Sequence, residues 1–170
     1  SLFLSLPASI ALLIGSEEII SALFGYGQFD QKSVLNSARA LYFFSLGLPA
    51  FAMIKVFSNF FFANHDTKRP FYVSLVSVLL NIFISLYFFK DIGFIIIPIA
   101  TTISSWFNLI VLFLILKKRK LFNFNDTFIN RFFKIVFASI LMGLFFNYLM
   151  IIFDDKLSFE NSLKSIYLIL

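Results

Sequence analysis

Lys55 and Asn59 stand one helical turn apart within an apolar run that ends at Ala63. A cation inside hydrocarbon is costly enough to need a use, and two uses fit. Lys55 lies eight residues from the end of its run, or ~12 Å along a helix, so its long stem could lift the ammonium to the interface. Alternatively the ammonium stands in a hydrated cavity and holds an anion, a reading that Asn59 on the same face favours. A second polar set, Ser74, Ser77, Asn81 and Ser85, recurs at spacings of three, four and four and makes one helix stripe. Thr101, Ser105 and Asn108 answer it at spacings of four and three. The turn Lys90-Asp91-Ile92 is so short that the two segments must be antiparallel neighbours, with Asn81 as far before it as Thr101 is after it. Such groups either join helix to helix, for ~0.6 kcal/mol each, or make an oxygen-lined site for a hard cation such as sodium from Asn81, Ser85 and Thr101. Pro98, near the same depth, frees carbonyl groups that could add to it.

Catalytic constellations do not occur. The chain has no Cys and its one His, His65, falls in a turn. Glu17-Glu18 and Asp154-Asp155 are adjacent pairs rather than convergent acids, and neither metal-ligand spacing nor a phosphate-binding glycine loop is present. These absences point to transport without enzymatic chemistry and without a cofactor.

The elements that must position these residues follow from composition. Hydrophobic residues make up 60% of the chain and charged residues 14%, and the mean hydropathy is +0.93, which predicts an all-α, polytopic membrane protein. About 20 apolar residues cross ~30 Å of hydrocarbon. Segments 40–63, 71–89, 93–116 and 132–153 are long enough to span, 1–14 reads as the end of one helix and 162–170 as the start of another. Runs of this length exclude barrel strands and leave a helical bundle. The 27 Phe residues spread around every segment and read as lipid-facing bulk. Pro49 can bend its helix and give it a hinge. The connection 15–34, broken at Gly15 and again around Gly25 and Gly27, reads as an interfacial helix on the outer face, with Glu17 and Glu18 suited to its start. The chain starts at Ser1 already apolar and ends apolar at Leu170, so it is expected to be a fragment cut inside helices, without a signal peptide.

Basic residues give an orientation. Lys68, Arg69, Lys117, Lys118, Arg119, Lys120, Arg131 and Lys134 fall on one side, against Lys32, Arg39, Lys90, Lys156 and Lys164 on the other. The first side is expected to be cytoplasmic. Seven of the nine acids lie on the other side, only Asp66 and Asp126 sharing the basic one, so the net charge of +5 is mostly a cytoplasmic collar. The run Lys117 to Lys120 reads as a membrane anchor next to anionic lipid, not as a nucleic-acid site.

The stretch from Gly25-Tyr-Gly-Gln-Phe29 through Arg39-Ala40 and Lys55-Val56 to Asp66-Thr67-Lys68-Arg69-Pro70 resembles, in order and spacing, the C-terminal portion of the MurJ/MviN lipid II flippases. Ala100-Thr101-Thr102 and Trp106-Phe107-Asn108 extend the likeness. The resemblance implies about helices nine to fourteen of a fourteen-helix flippase of the multidrug/oligosaccharidyl-lipid/polysaccharide exporter superfamily. It divides the chain into 1–116, helices of the C-terminal lobe, and 117–170, a basic loop and the last two helices, whose groove would suit a lipid tail. It implies a multi-pass protein of the bacterial inner membrane that moves undecaprenyl-pyrophosphate-linked peptidoglycan precursor by alternating access, with lipid II, membrane lipids and an N-terminal lobe of the same protein as partners. The family's best-known cavity arginines lie in its N-terminal lobe, so no substrate-binding role is carried over; Lys55, Asn59 and Arg39 are candidates for the substrate cavity on the residues' own showing, and residues 66–70 form the cytoplasmic turn. The family's proposed coupling-ion site pairs an Asn with an acidic residue one turn on, and with a Thr in the next helix. Asn81 and Thr101 match, whereas Ser85 stands in the acidic position, which leaves sodium or proton coupling open. A polysaccharide-unit or drug exporter of the same superfamily, or a scaffold subunit whose polar stripes only pack helices, are the alternative readings.

Overall fold

The computed structural model describes residues 1–25, 29–119 and 126–152. Tyr26 to Gln28, Lys120, Asp154, Asp155 and the expected last helix 162–170 lie outside the described residues. Helices α1 (Leu2–Ile14), α2 (Ser16–Phe24), α3 (Gln31–Ala63), α4 (Lys68–Ile92), α5 (Ile96–Lys118) and α6 (Asp126–Ile152) follow one another, with a single 3-10 turn at Gly93–Ile95 between α4 and α5. The stretches Gln31–Ala63, Lys68–Lys118 and Asn130–Ile152 are long and apolar enough to cross a membrane. The middle one folds back on itself at Gly93, whose φ of +75° is open to glycine at little cost, and so supplies two arms rather than one.

The helices form a row. α6 packs on α1, α1 on α3, α3 on α5 and α5 on α4, while α2 lies against α3. Contacts fix the directions: Ser1 meets Met53 and Ser9 meets Ser45, so α1 runs against α3. Phe43 meets Thr102 and Phe57 stacks on Phe113, so α3 and α5 run together. A Cβ at Gly143 would lie 2.5 Å from Ile10, so α6 approaches α1 closely there, and it can do so because Gly has no side chain. Large side chains such as Phe83, Leu86 and Phe145 are more than 60% exposed, as a lipid-facing surface requires.

Two expected boundaries move. α3 begins at Gln31 rather than near residue 40, because Asp30 caps it: its carboxylate accepts from the Ser33 backbone N–H at 2.9 Å. The last part of the expected interfacial segment 15–34 therefore belongs to α3. Among its remaining described residues only α2 is a helix, turned 78° from α1 at Gly15, with Glu17 and Glu18 in its first turn. Nine residues reach only ~14 Å and cannot span.

At its other end α3 stops in a Schellman turn. The Asp66 N–H returns to the Phe61 carbonyl and the His65 N–H to the Phe62 carbonyl, which places His65 at φ 56°. A non-glycine residue there costs roughly 1 kcal/mol, so His65→Gly is expected to stabilise the full-length protein by about that much in thermal unfolding. The bond from Ser33 holds the Asp30 carboxyl below its ordinary value. Because the folded value is the lower one, the cap's contribution is present above the unfolded value of 3.8 and is lost as pH falls through the folded value. The protection of the Ser33 and Val34 amides from exchange, taken relative to the intrinsic rate at each pH, is expected to fall on acidification below that point and to lose this dependence in Asp30→Asn.

Candidate functional site

The polar seam between α4 and α5 starts from backbone economy. Thr101 Oγ1 donates to the Ile97 carbonyl at 2.8 Å and Ser104 Oγ to the Thr101 carbonyl at 3.0 Å. Each hydroxyl has one proton and has given it to its own helix, so both face α4 as acceptors. The Asn81 amide meets them as donor, at 3.0 Å to Thr101 and 3.3 Å to Ser104. Asn81 and Thr101 thus touch, although the chain turns at Gly93–Ile95 and not at the expected Lys90-Asp91-Ile92, so that they are not equally far from the turn. Asn108 reaches Ser74 at 3.4 Å further down the seam. Ser77 and Ser105 instead bond within their own helices.

Ser85, one turn beyond Asn81, is half-buried with its hydroxyl oxygen unpartnered, as is the Asn108 amide oxygen. Among the described residues no three His, Cys, Asp or Glu side chains gather as a metal site. A cation in the seam would need lone pairs that Thr101 and Ser104 now offer to the Asn81 amide, with no carboxylate beside them. Chemically, this donor set joins two helices.

A tighter charge cluster closes the same end of α3, α4 and α5. Asp66 Oδ2 accepts from Arg69 and, at 3.1 Å, from Arg119 at the end of α5. The carboxylate is 17% exposed and the guanidiniums 42% and 38%. Beneath it Phe57, Phe61, Val73, Leu112 and Leu116 form a buried core shared by the three helices. Arg119 read in sequence only as part of a basic anchor; its pairing was signalled by Asp66 being one of just two acids on the basic side. Thr67 precedes α4 without a capping side-chain bond, and Pro70 is buried in its first turn, where a missing N–H is tolerated. Thr67, Lys68 and Pro70 line, with Ser58, Tyr72 and Ser74, a cleft of about 600 Å³.

Lys55 and Asn59 share an exposed face of α3. Arg39 is exposed too, but sixteen residues along, or ~24 Å away from Lys55, so the described residues do not bring it to the other two. Sequence reasoning also missed Ser104, one residue from the stripe position Ser105, and a layer of Ser9, Thr102 and Trp106 that bonds to α3.

The family model "Lipid II flippase MurJ" matches residues 1–168. The chain is 36% identical over 143 residues to a probable lipid II flippase MurJ of Rhizobium meliloti, which covers 84% of this chain and 27% of that protein. It is 34% identical over 170 residues to the probable lipid II flippase MurJ of Thermotoga maritima, covering 100% of this chain and 33% of that one. A solved structure titled "Lipid II flippase MurJ, inward closed conformation" shares the fold, with a TM-score of 0.67 at 24% identity over 92% of this chain and 38% of that chain. The chain spans about a third or less of these curated relatives.

Asp66→Asn is expected to lower the thermal stability of the full-length protein by about 1 kcal/mol or less, since both guanidiniums are partly exposed. The loss should shrink in high salt. Arg119→Gln should cost a similar amount with Asp66 in place and almost nothing in the Asp66→Asn background.

Proposed function

The chain belongs to the lipid II flippase MurJ family, and from that premise we propose that it is the C-terminal lobe portion of a lipid II flippase in the bacterial inner membrane, with its basic turns cytoplasmic. The observation that carries the reading is the family match along residues 1–168. It joins a bundle of apolar helices in which Asn81, Thr101 and Ser104 are spent on helix contacts. The protein would move lipid II without converting it, so no chemical step is assigned to its residues.

Lys55 supports a cavity rather than a lipid-facing surface. It is exposed about two turns inside the end of α3, together with Asn59. An ammonium at that depth against acyl chains is unfavourable. The face is therefore assigned to a hydrated cavity shared with the rest of the protein, where Lys55 would neutralise a phosphate of the substrate and Asn59 would donate to it. Arg39 is kept as a separate cavity contact near the other end of α3. Asn81, Thr101 and Ser104 are assigned an interhelical role, and Ser85 adds no charge that would make an ion their ligand.

Depletion of the full-length protein is expected to reduce the lipid II that an externally added lipid II-cleaving enzyme can reach, and re-expression to restore it. Lys55→Ala should slow that restoration by roughly tenfold, the cost of one charge-assisted contact. Unchanged accessibility on depletion would remove the flippase reading. Full restoration by Lys55→Ala would remove only the cavity assignment.

A further inference from the structure

A proline inside a spanning helix strands one carbonyl, that of the residue four positions earlier. In α3 the proline is Pro49 and the stranded carbonyl is that of Ser45. Water is scarce at membrane depth, so this oxygen needs a donor from protein. It has one in another helix: Ser9 Oγ of α1 donates to the Ser45 carbonyl at 2.7 Å, and Ser9 and Ser45 are 5% and 0% exposed. The adjoining carbonyls are held as well. Thr102 Oγ1 of α5 donates to the Phe43 carbonyl at 2.7 Å and Trp106 Nε1 to the Leu46 carbonyl at 3.1 Å. The Ser45 hydroxyl turns back to the Tyr42 carbonyl at 2.7 Å. α5 comes so close here that a Cβ on Gly47 would lie 3.2 Å from Thr102 Oγ1 and 2.9 Å from the Phe51 ring.

We propose that Pro49 is a docking socket and not a free hinge. By withholding an N–H it presents the Ser45 carbonyl to Ser9, and this bond, with those from Thr102 and Trp106, fixes α1, α3 and α5 as one rigid block. Four backbone carbonyls between Tyr42 and Leu46 receive side-chain donors. A helix held this way cannot flex at its proline without stranding a buried acceptor. Conformational change in the whole protein must then carry these three helices together. The inference stands whatever the transported substrate is.

The test is a double-mutant cycle in the full-length protein, read by thermal unfolding. With Pro49 present, Ser9→Ala lowers the unfolding midpoint by several degrees. In Pro49→Ala the new N–H at position 49 satisfies the Ser45 carbonyl, and Ser9→Ala becomes nearly silent. Equal losses in the two backgrounds would reduce Ser9 to ordinary packing and overturn the proposal, as would no loss in either. A second readout does not need the Pro49 variant to fold. In a cysteine-free background, spin labels at Lys32 and Phe60, both exposed and on opposite sides of Pro49, report the bend of α3. The Ser9→Val variant, matched in shape to Ser9→Thr but lacking the hydroxyl, should broaden the label distance distribution while Ser9→Thr keeps it narrow. Equal widths in the two variants would overturn the socket.

Discussion

A backbone carbonyl in hydrocarbon has no water to fall back on, and that constraint organises the polar chemistry of this chain. Ser9, Ser45, Ser77, Thr101, Thr102, Ser104, Ser105 and Ser139 all give their hydroxyl proton to a main-chain oxygen. Once a hydroxyl has done so it can only accept, and the α4–α5 seam follows from this. Asn81 is the donor that two spent hydroxyls require. The same constraint turns Pro49 from a defect into a point of attachment, because the carbonyl it strands is the one Ser9 seeks.

Ion pairs work at the ends, where the dielectric is higher and the gain per pair small. Asp66 earns its place through position. It sits between a turn and the end of a helix distant in sequence, so two guanidiniums meeting one carboxylate tie α3, α4 and α5 at a single point above their buried core. Asp30 does a local version of this work, capping α3 where its spanning run has not yet become apolar.

Helices were legible in the sequence wherever apolar length alone decides them, and so was the antiparallel pairing of α4 with α5, because a short turn leaves no other arrangement, although the turn lies at Gly93–Ile95 and not at residues 90–92. The start of α3 was not, since Gln31, Lys32, Ser33, Asn36, Ser37 and Arg39 carry no hydrophobic signal; Asp30 followed three residues later by Ser33 was the available clue. Ser104 was missed because stripe spacing favours Ser105, while the seam is decided by which hydroxyl still faces the neighbouring helix. Ser9 could not be found at all by spacing. Its partner is a main-chain atom 36 residues away, exposed by a proline whose effect on sequence patterns is indistinguishable from that of a hinge.

These points converge on Lys55. α3 is fastened above it to α1 and α5 through the Pro49 layer, and below it to α4 and α5 through Phe57, Phe61 and the Asp66 cluster. Neither fastening covers the face that bears Lys55 and Asn59. A helix held at two levels does not rotate to hide a cation, and a stem of four methylenes covers only part of the remaining depth. On the proposed cavity reading, what shields this ammonium from acyl chains comes from outside the described residues, and the Lys55 face is the side of α3 turned toward the rest of the protein.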